Sequence, residues 1–279
     1  MSREKLTKSL VDVVALRSEL SEEDFAALRL SVIEAASPVF RDRCPFVPDE
    51  VFIKSLVGGD NDSLAVRRIQ LYRASSTGRV VGYAVVRAAE LESGGASYLV
   101  VDASGYIIDE FRGRGVTSSF FYREIVRIWL RALLRHRVVV FGICSPATYK
   151  MISKYTHEFY PDYRSLSSPA MRELLEALKG GLGYETLPGR PFVVRNEMWR
   201  RNEDPTEPER WRRDPSPHLR FYLEQCGDSG AEGSALLTVI PANLRNAVLT
   251  AGALVVGKAR DRIRRLWRAS PPRGAERRL

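Results

Sequence analysis

Between Ile107 and Trp129 the chain reads IIDEFRGRGVTSSFFYREIVRIW, and at its centre stand Arg112, Gly113, Arg114 and Gly115. An apolar strand pattern ends there and a helical pattern begins. The first turn of a helix exposes backbone N–H groups and the positive end of the helix dipole, and glycines let a bulky anion approach them closely. In this turn the donors are the N–H groups of Gly113, Arg114, Gly115, Val116 and Thr117, with the Arg112 and Arg114 side chains adding charge. The chemistry such a turn suits is the cradling of phosphate. The same four residues also suit a solvated basic loop that contains glycines, so the surrounding elements have to decide.

Those elements can be read from periodicity. Leu6, Leu10, Val13 and Val14 share a helical spacing, and a second helix is expected from Ser21, where SEED supplies an N-cap and an acid three residues later. Pro38, Pro45 and Pro48 break the pattern before a short helix in DEVFIKSLVGG, ended by Gly58 and Gly59. RRIQLYRA, RVVGYAVVRA and SYLVVDASGYII, separated by SSTG and ESGG, predict a three-strand antiparallel meander. In the helix after the arginine-glycine turn, Val116, Phe120, Phe121, Ile125, Ile128, Trp129 and Leu133 point inward, while Arg123, Arg127, Arg131 and Arg135 point outward. RVVVFGI follows as a buried strand. With a helix between it and the preceding strand, the two are expected to be parallel neighbours. The expected order is therefore α-α-β-β-β-α-β-α. Beyond it come a helix around SPAMRELLEALKGG, a hairpin in YETLPGRPFVVRNEMW, a surface loop in RRNEDPTEPERWRRDPSPH, a strand ALLTVIP and a helix ANLRNAVLTAGALVVGKARDRIRRLW.

In this setting FRGRGV resembles motif A of the GNAT superfamily, the acyl-CoA-dependent N-acyltransferases, whose pattern is Arg/Gln-x-x-Gly-x-Gly/Ala. Arg112, Gly115 and Thr117 occupy those places, the last departing from the pattern with a hydroxyl that can donate a hydrogen bond to a phosphate. The resemblance covers 21–155 in element order and is sharp from Ile107 to about Ser119. It implies an α/β (α+β) fold: a GNAT-like mixed central sheet, an antiparallel meander followed by a parallel β-α-β unit, with flanking helices. It also implies acetyl-CoA or another acyl-CoA as co-substrate, with no metal. The pyrophosphate would sit on the turn, the thioester carbonyl on backbone N–H groups at the splayed end of the fourth strand (Tyr98 to Ile108), and the pantetheine between that strand and the fifth (Arg137 to Ile143). The cofactor-binding set is then Ile107, Ile108, Arg112, Gly113, Arg114, Gly115, Val116 and Thr117.

N-acyl transfer needs a deprotonated amine, a polarised carbonyl and a proton for the departing thiolate. The resemblance places a carboxylate base on the fourth strand, and Asp102, Asp109 and Glu110 are the nearby acids, with Asp102 preferred because it breaks an apolar run. An aspartate in DASG also suits a bulge or turn in which it bonds backbone, and acids before a helix are common on structural grounds. For the thiolate the resemblance offers a tyrosine on the helix after the fifth strand. Tyr149 is preferred over Tyr155, although the pattern's tyrosine spacing, counted from Ser145, falls on Ile152. Both tyrosines equally suit packing against the sheet. Cys144 reads as a small buried residue, since no histidine stands near it in sequence.

Composition bounds the rest. The chain has 279 residues, 43 Lys and Arg against 34 Asp and Glu, and a formal charge of +9. Gly257 to Leu279 holds nine Lys and Arg against two acids, so most of the basic charge is an appendage. Residues 1–240 are expected to form the acyltransferase-like domain, and 241–279 an amphipathic basic helix and tail. AVLTAGALVVG is too short to span a bilayer, but followed by KARDRIRRLWR it suits an interfacial helix on an anionic membrane, a homodimer or core contact, or, less well, a nucleic-acid patch. Three scattered cysteines and three scattered histidines give no metal-ligand spacing, and the N-terminus lacks a signal-peptide pattern, so a cytoplasmic location is expected. The expected activity is transfer of an acetyl or longer acyl group from acyl-CoA to a small-molecule or protein amine within a ternary complex. The alternative is an inactive CoA-binding or regulatory module on the same fold, with or without membrane association.

Overall fold

In a computed structural model the described residues are 4–44, 47–57, 64–111, 116–164, 169–182, 186–187, 189–195, 207–227, 234–250 and 252–253. The chain opens with a strand, β1 (Leu6–Asp12), followed by the helices α1 (Val13–Glu19), α2 (Glu22–Arg43) and α3 (Asp49–Leu56). The expected opening helix is thus replaced by a strand and a short helix. Leu6, Leu10, Val13 and Val14 straddle the two, and the boundary is set by Asp12, whose Oδ1 accepts from the Ala15 N–H at 3.3 Å as an N-cap. β1 pairs antiparallel with the next strand from Leu6 opposite Ala74 to Asp12 opposite Arg68. α2 starts on Ser21 as expected, with Ser21 Oγ accepting from the Asp24 N–H at 3.1 Å. It runs on through Pro38 instead of breaking there, carried by the burial of Ala36, Val39 and Phe40. α3 ends at Leu56, capped by Val57. Gly58 and Gly59 lie outside the described residues.

The meander forms as β2 (Val66–Ala74), β3 (Val80–Ser93) and β4 (Ala96–Ile107). With β1 in place, β4 is the fourth strand of the sheet. α4 (Val116–Ala132) crosses to β5 (Arg137–Cys144), which lies parallel to β4. Leu133 and Arg135 fall in the turn after α4, and Leu133 is exposed there, contrary to its expected inward position. α5 (Pro146–Tyr155), α6 (Pro169–Leu182), β6 (Thr186–Leu187), β7 (Arg190–Arg195), α7 (Glu207–Arg212), α8 (Pro217–Cys226) and β8 (Ser234–Pro241) complete the named elements. α7 occupies part of the expected surface loop, and α8 was not expected. The sheet order is β1-β2-β3-β4-β5-β8-β7-β6, so β8 inserts between β5 and the late hairpin. Residues 244–250 and 252–253 are helical, and the basic remainder of the tail lies outside the described residues.

Three apolar clusters fill the two faces. α4 covers one face, with Phe120 and Ile128 packed on Val86, Leu99 and Val101. The other face is shared. α2 and α3 cover Ile69, Leu71, Tyr83 and Val85, while α5, α6 and α8 cover Val100, Val139 and Phe141. With both faces covered, β3 reads as a nearly continuous apolar run.

Candidate functional site

The parallel ladder between β4 and β5 runs from Tyr98 opposite Arg137 only as far as Asp102 opposite Phe141. β4 continues through Ala103–Ile107, bonded to β3 on its other edge, while β5 continues to Cys144 bonded to β8. The two strands part at Asp102 and Phe141, and all five residues Ala103–Ile107 are half-buried. Among the described residues this half-buried edge has no ladder partner, and its donors and acceptors need other bonds. Above it, Ile108 N–H donates to Val81 O at 3.0 Å, and a single 3-10 turn, Asp109–Phe111, leads toward α4. Arg112, Gly113, Arg114 and Gly115 lie outside the described residues. Val116 and Thr117 form the first turn of α4, and Phe121, one turn on, packs so closely on the β4 edge that a Cβ on Gly105 would lie 3.2 Å from its ring.

The start of α4 is fixed from beneath. The hydroxyl of buried Tyr72 on β2 donates to Val116 O at 3.1 Å, and burial pushes this phenol up to about 12. Deeper in the helix, Glu124 is 1% exposed and accepts from Arg68 Nη1 at 2.7 Å and from Arg123 Nε at 3.0 Å. Arg68 also donates from Nε to Asp12 Oδ2 at 2.8 Å. Burial alone would lower the Arg68 pKa and raise that of Glu124. The paired charges outweigh burial in both, so Arg68 is held above and Glu124 below its ordinary value. One ion-paired chain thereby ties the end of β1, the start of β2 and α4. Its sequence signal is Glu124, a lone acid spaced with Phe120 and Ile128 on the apolar stripe of the helix.

Asp102 sits where the strands part. Its carboxylate is ion-paired with Arg87, its register partner on β3, and Arg87 Nη1 donates to Ser55 O at the end of α3 at 3.2 Å. The expected carboxylate is therefore on the strand and at the fork, held in orientation by Arg87. Arg87 interrupts the apolar run of β3 just as Asp102 interrupts that of β4, and the two interruptions are one pair. No bulge is present at Asp102, which pairs in regular register on both sides.

Tyr149 lies on α5, the helix after β5, as expected. It is fully buried among Phe159, Phe221 and Tyr222, and its hydroxyl donates to Pro161 O at 2.9 Å. Burial, reinforced by the nearby Asp162 carboxylate, drives its pKa far up. The Tyr149 hydroxyl is thus engaged by a buried backbone carbonyl. Its cover comes from α8, whose Phe221 and Tyr222 rings lie 6.3 and 5.7 Å from that of Tyr149 between centroids. His218 of α8 lies edge-on to Tyr163 at 4.7 Å between ring centroids, with Nδ1 3.5 Å from Asp162 Oδ1, outside Tyr149. Cys144 is 1% exposed, and burial raises its thiol to about 12, as expected of an inert core residue.

Four antiparallel strands, a helical crossover to a parallel fifth, and a fork between the fourth and fifth at the crossover helix decide the architecture. The fold is GNAT-like. No protein-family description matches the sequence, and comparison with curated proteins finds no match. Among solved structures, a conserved Enterococcus faecalis protein named as a probable N-acyltransferase is 10% identical. It covers 53% of this chain and 31% of its own, with a TM-score of 0.33. A ribosomal-protein-alanine N-acetyltransferase from Brucella melitensis is 17% identical, covering 49% and 80% at 0.24. AtaTR bound with AcCoA is 14% identical, covering 56% and 85% at 0.34. The present chain thus spans about a third of the first of these. The GNAT-like assignment rests on the strand order and the fork of this chain. Among the described residues no group of three or more His, Cys, Asp or Glu is gathered as a metal site requires, and no helix is long and apolar enough to cross a membrane.

Proposed function

We propose that the protein transfers an acetyl or longer acyl group from acyl-CoA to an amine. The observation that carries this is the fork, where the β4 edge from Ala103 to Ile107 leaves the β5 ladder beside the first turn of α4. Backbone N–H groups on that edge can bond the thioester carbonyl and stabilise the charge that grows on its oxygen during attack. Val116 and Thr117, with Arg112 to Gly115, would hold the pyrophosphate. The amine nitrogen attacks the carbonyl carbon, the C–S bond breaks, and sulfur leaves with the electron pair. Asp102, fixed by Arg87 at the fork, takes the proton from the amine directly or through one water. With Tyr149 committed to Pro161, the thiolate would take its proton from solvent.

Because Asp102 is paired with Arg87 and Tyr149 is buried, a CoA-binding module without transfer activity is the second reading. The two separate in one assay, amine-dependent release of free thiol from acetyl-CoA. Asp102→Asn should keep CoA binding and lower the transfer rate by about a hundredfold or more, the usual worth of a general base. CoA binding without thiol release from any amine would favour the module. The helix at 244–250 leaves Leu244, Val248 and Leu249 exposed, and these support contact of the 241–279 tail with a second copy or an anionic membrane.

A further inference from the structure

α4 is apolar on two sides. Phe120, Ile128 and Ala132 face the sheet, as a covering helix requires. The far side carries Tyr122, Val126 and Leu130 at i, i+4 spacing, and the row continues into the following turn through Leu134. Leu130 is 62% and Leu134 96% exposed, and Tyr122 and Leu133 are exposed beside them. One residue along lies a second row, Arg123, Arg127, Arg131 and Arg135, all exposed. The one acid in α4 is Glu124, which is buried and paired. Among the described residues no carboxylate pairs with Arg127, Arg131 or Arg135. Arg123 Nη2 donates to Gln70 Oε1 on β2 at 3.2 Å, which sets the arginine row on the flank nearest β1 and β2. There β1 extends the surface: Lys8 and Leu10 alternate onto the same face as Asp12, and both are exposed.

A contiguous exposed apolar row marks a contact surface, and its cationic flank calls for an anionic partner. A second copy fits poorly, because a two-fold axis on this face sets each arginine row beside its counterpart. An acidic helix from another protein needs a groove, and among the described residues α4 is the only named helix on this face, so it stands as a ridge. A lipid surface suits a ridge. The leucines enter the acyl boundary while the arginine stems reach back along them to the headgroup phosphates.

We propose that the outer side of α4, with the exposed edge of β1, docks the protein on an anionic lipid surface. Asp102 and Arg87 lie against α3 on the opposite face of the sheet, so lipid contact does not cover the Asp102 carboxylate. The surface is made of residues outside the 241–279 tail and does not depend on the acyl-transfer reading.

Co-sedimentation of the full chain with vesicles of phosphatidylcholine, alone or with about one third phosphatidylglycerol, tests it. At about 0.1 M salt the wild type should partition at least about thirtyfold more strongly onto the anionic vesicles. Leu130→Glu should weaken that binding about tenfold or more, since a leucine leaves the acyl boundary and an acid takes its place. Arg127→Glu with Arg131→Glu should weaken it at least about twenty-fivefold, roughly fivefold for each arginine lost. These side chains are exposed, so each variant should keep the wild-type melting temperature. Should a variant fail to fold, the comparison of neutral with anionic vesicles still decides for the wild type, where equal or absent binding to both overturns the proposal. Every variant keeps the basic tail, so anionic-vesicle binding undiminished in all of them gives lipid contact to the tail and also overturns it. A wild-type dimer that Leu130→Glu dissociates, seen by sedimentation velocity, would give the face to a second copy. Binding of an amphipathic leucine-glutamate peptide without vesicle binding would give it to a protein helix. Either result overturns the proposal. No arm of the test contains CoA, so failure here and failure of the acyl-CoA site are read separately.

Discussion

Glu124→Ala tests whether α4 is held over the fork by its buried carboxylate. The change removes the acceptor of the 2.7 Å bond from Arg68 and of the 3.0 Å bond from Arg123. The Arg123 side chain is 58% exposed, so its share is at most about 1 kcal/mol. The Arg68 side chain is 11% exposed and keeps Asp12, so it loses one charge-assisted bond of about 1.5–3 kcal/mol and not its whole compensation. The sum is about 3 kcal/mol, which at roughly 2 °C per kcal/mol for a chain of this size lowers the melting temperature by about 6 °C. The dependence on pH has a definite sign. The Glu124 carboxyl is held below its ordinary value, because its partners outweigh burial, so its stabilisation is complete above that value and is lost as pH falls through the folded-state pKa. Thermal melts of wild type and variant should therefore differ most near neutrality and converge as pH falls through the lower carboxylate range. A shift under about 1 °C at pH 7, or a gap that widens in acid, would refute the pairing as the tie between α4 and the sheet.

Tyr149→Phe should destabilise the protein by about 1–3 kcal/mol, because Pro161 O loses a buried donor, while leaving thiol release within about twofold of wild type; a large rate loss at unchanged stability would restore the acid role. Gly105→Ala places a Cβ 2.7 Å from Tyr83 O and 3.0 Å from Ala84 Cα, backbone atoms that cannot yield. Denaturant titration should show a loss of about 1–3 kcal/mol, and CoA affinity should fall because the exposed β4 edge is displaced. Asn246→Ala removes bonds from its amide to Glu158 O and Pro241 O, both at 2.8 Å, and one from Glu158 N–H at 3.0 Å. Limited proteolysis should then cut near 244–253 several-fold faster without shifting the global melt, since undocking the helix is a local opening.

The elements with strong local signals were legible in the sequence: the meander, the α4 crossover, the parallel β4-β5 pair and the Ser21 cap follow from alternation, spacing and capping chemistry. Leu6–Asp12 was not, because its apolar residues also fit a helix and a strand at a sheet edge takes its conformation from a distant partner, here from Ala74 opposite Leu6 to Arg68 opposite Asp12. The insertion of β8 beside β5 is a long-range choice with no local mark. Within the site, Asp102 announced itself as a charge in an apolar strand. Its partner Arg87 carried the same signal, but pairing the two needs the register. The burial of Tyr149 has no local mark, because it is imposed by α8, some seventy residues later, whose Tyr222 donates its hydroxyl to Cys144 O at 2.8 Å and closes the cover.

The measurement that bears most directly on the central claim is calorimetric titration of the full chain with acetyl-CoA, repeated on Arg112→Ala. A fork and a helix start that form an acyl-CoA site require saturable binding of one molecule per chain and a loss of about tenfold or more in the variant, with a matching rise in melting temperature on saturation of the wild type. Neither heat nor thermal stabilisation with acetyl-CoA, or equal affinity in wild type and Arg112→Ala, would contradict the account.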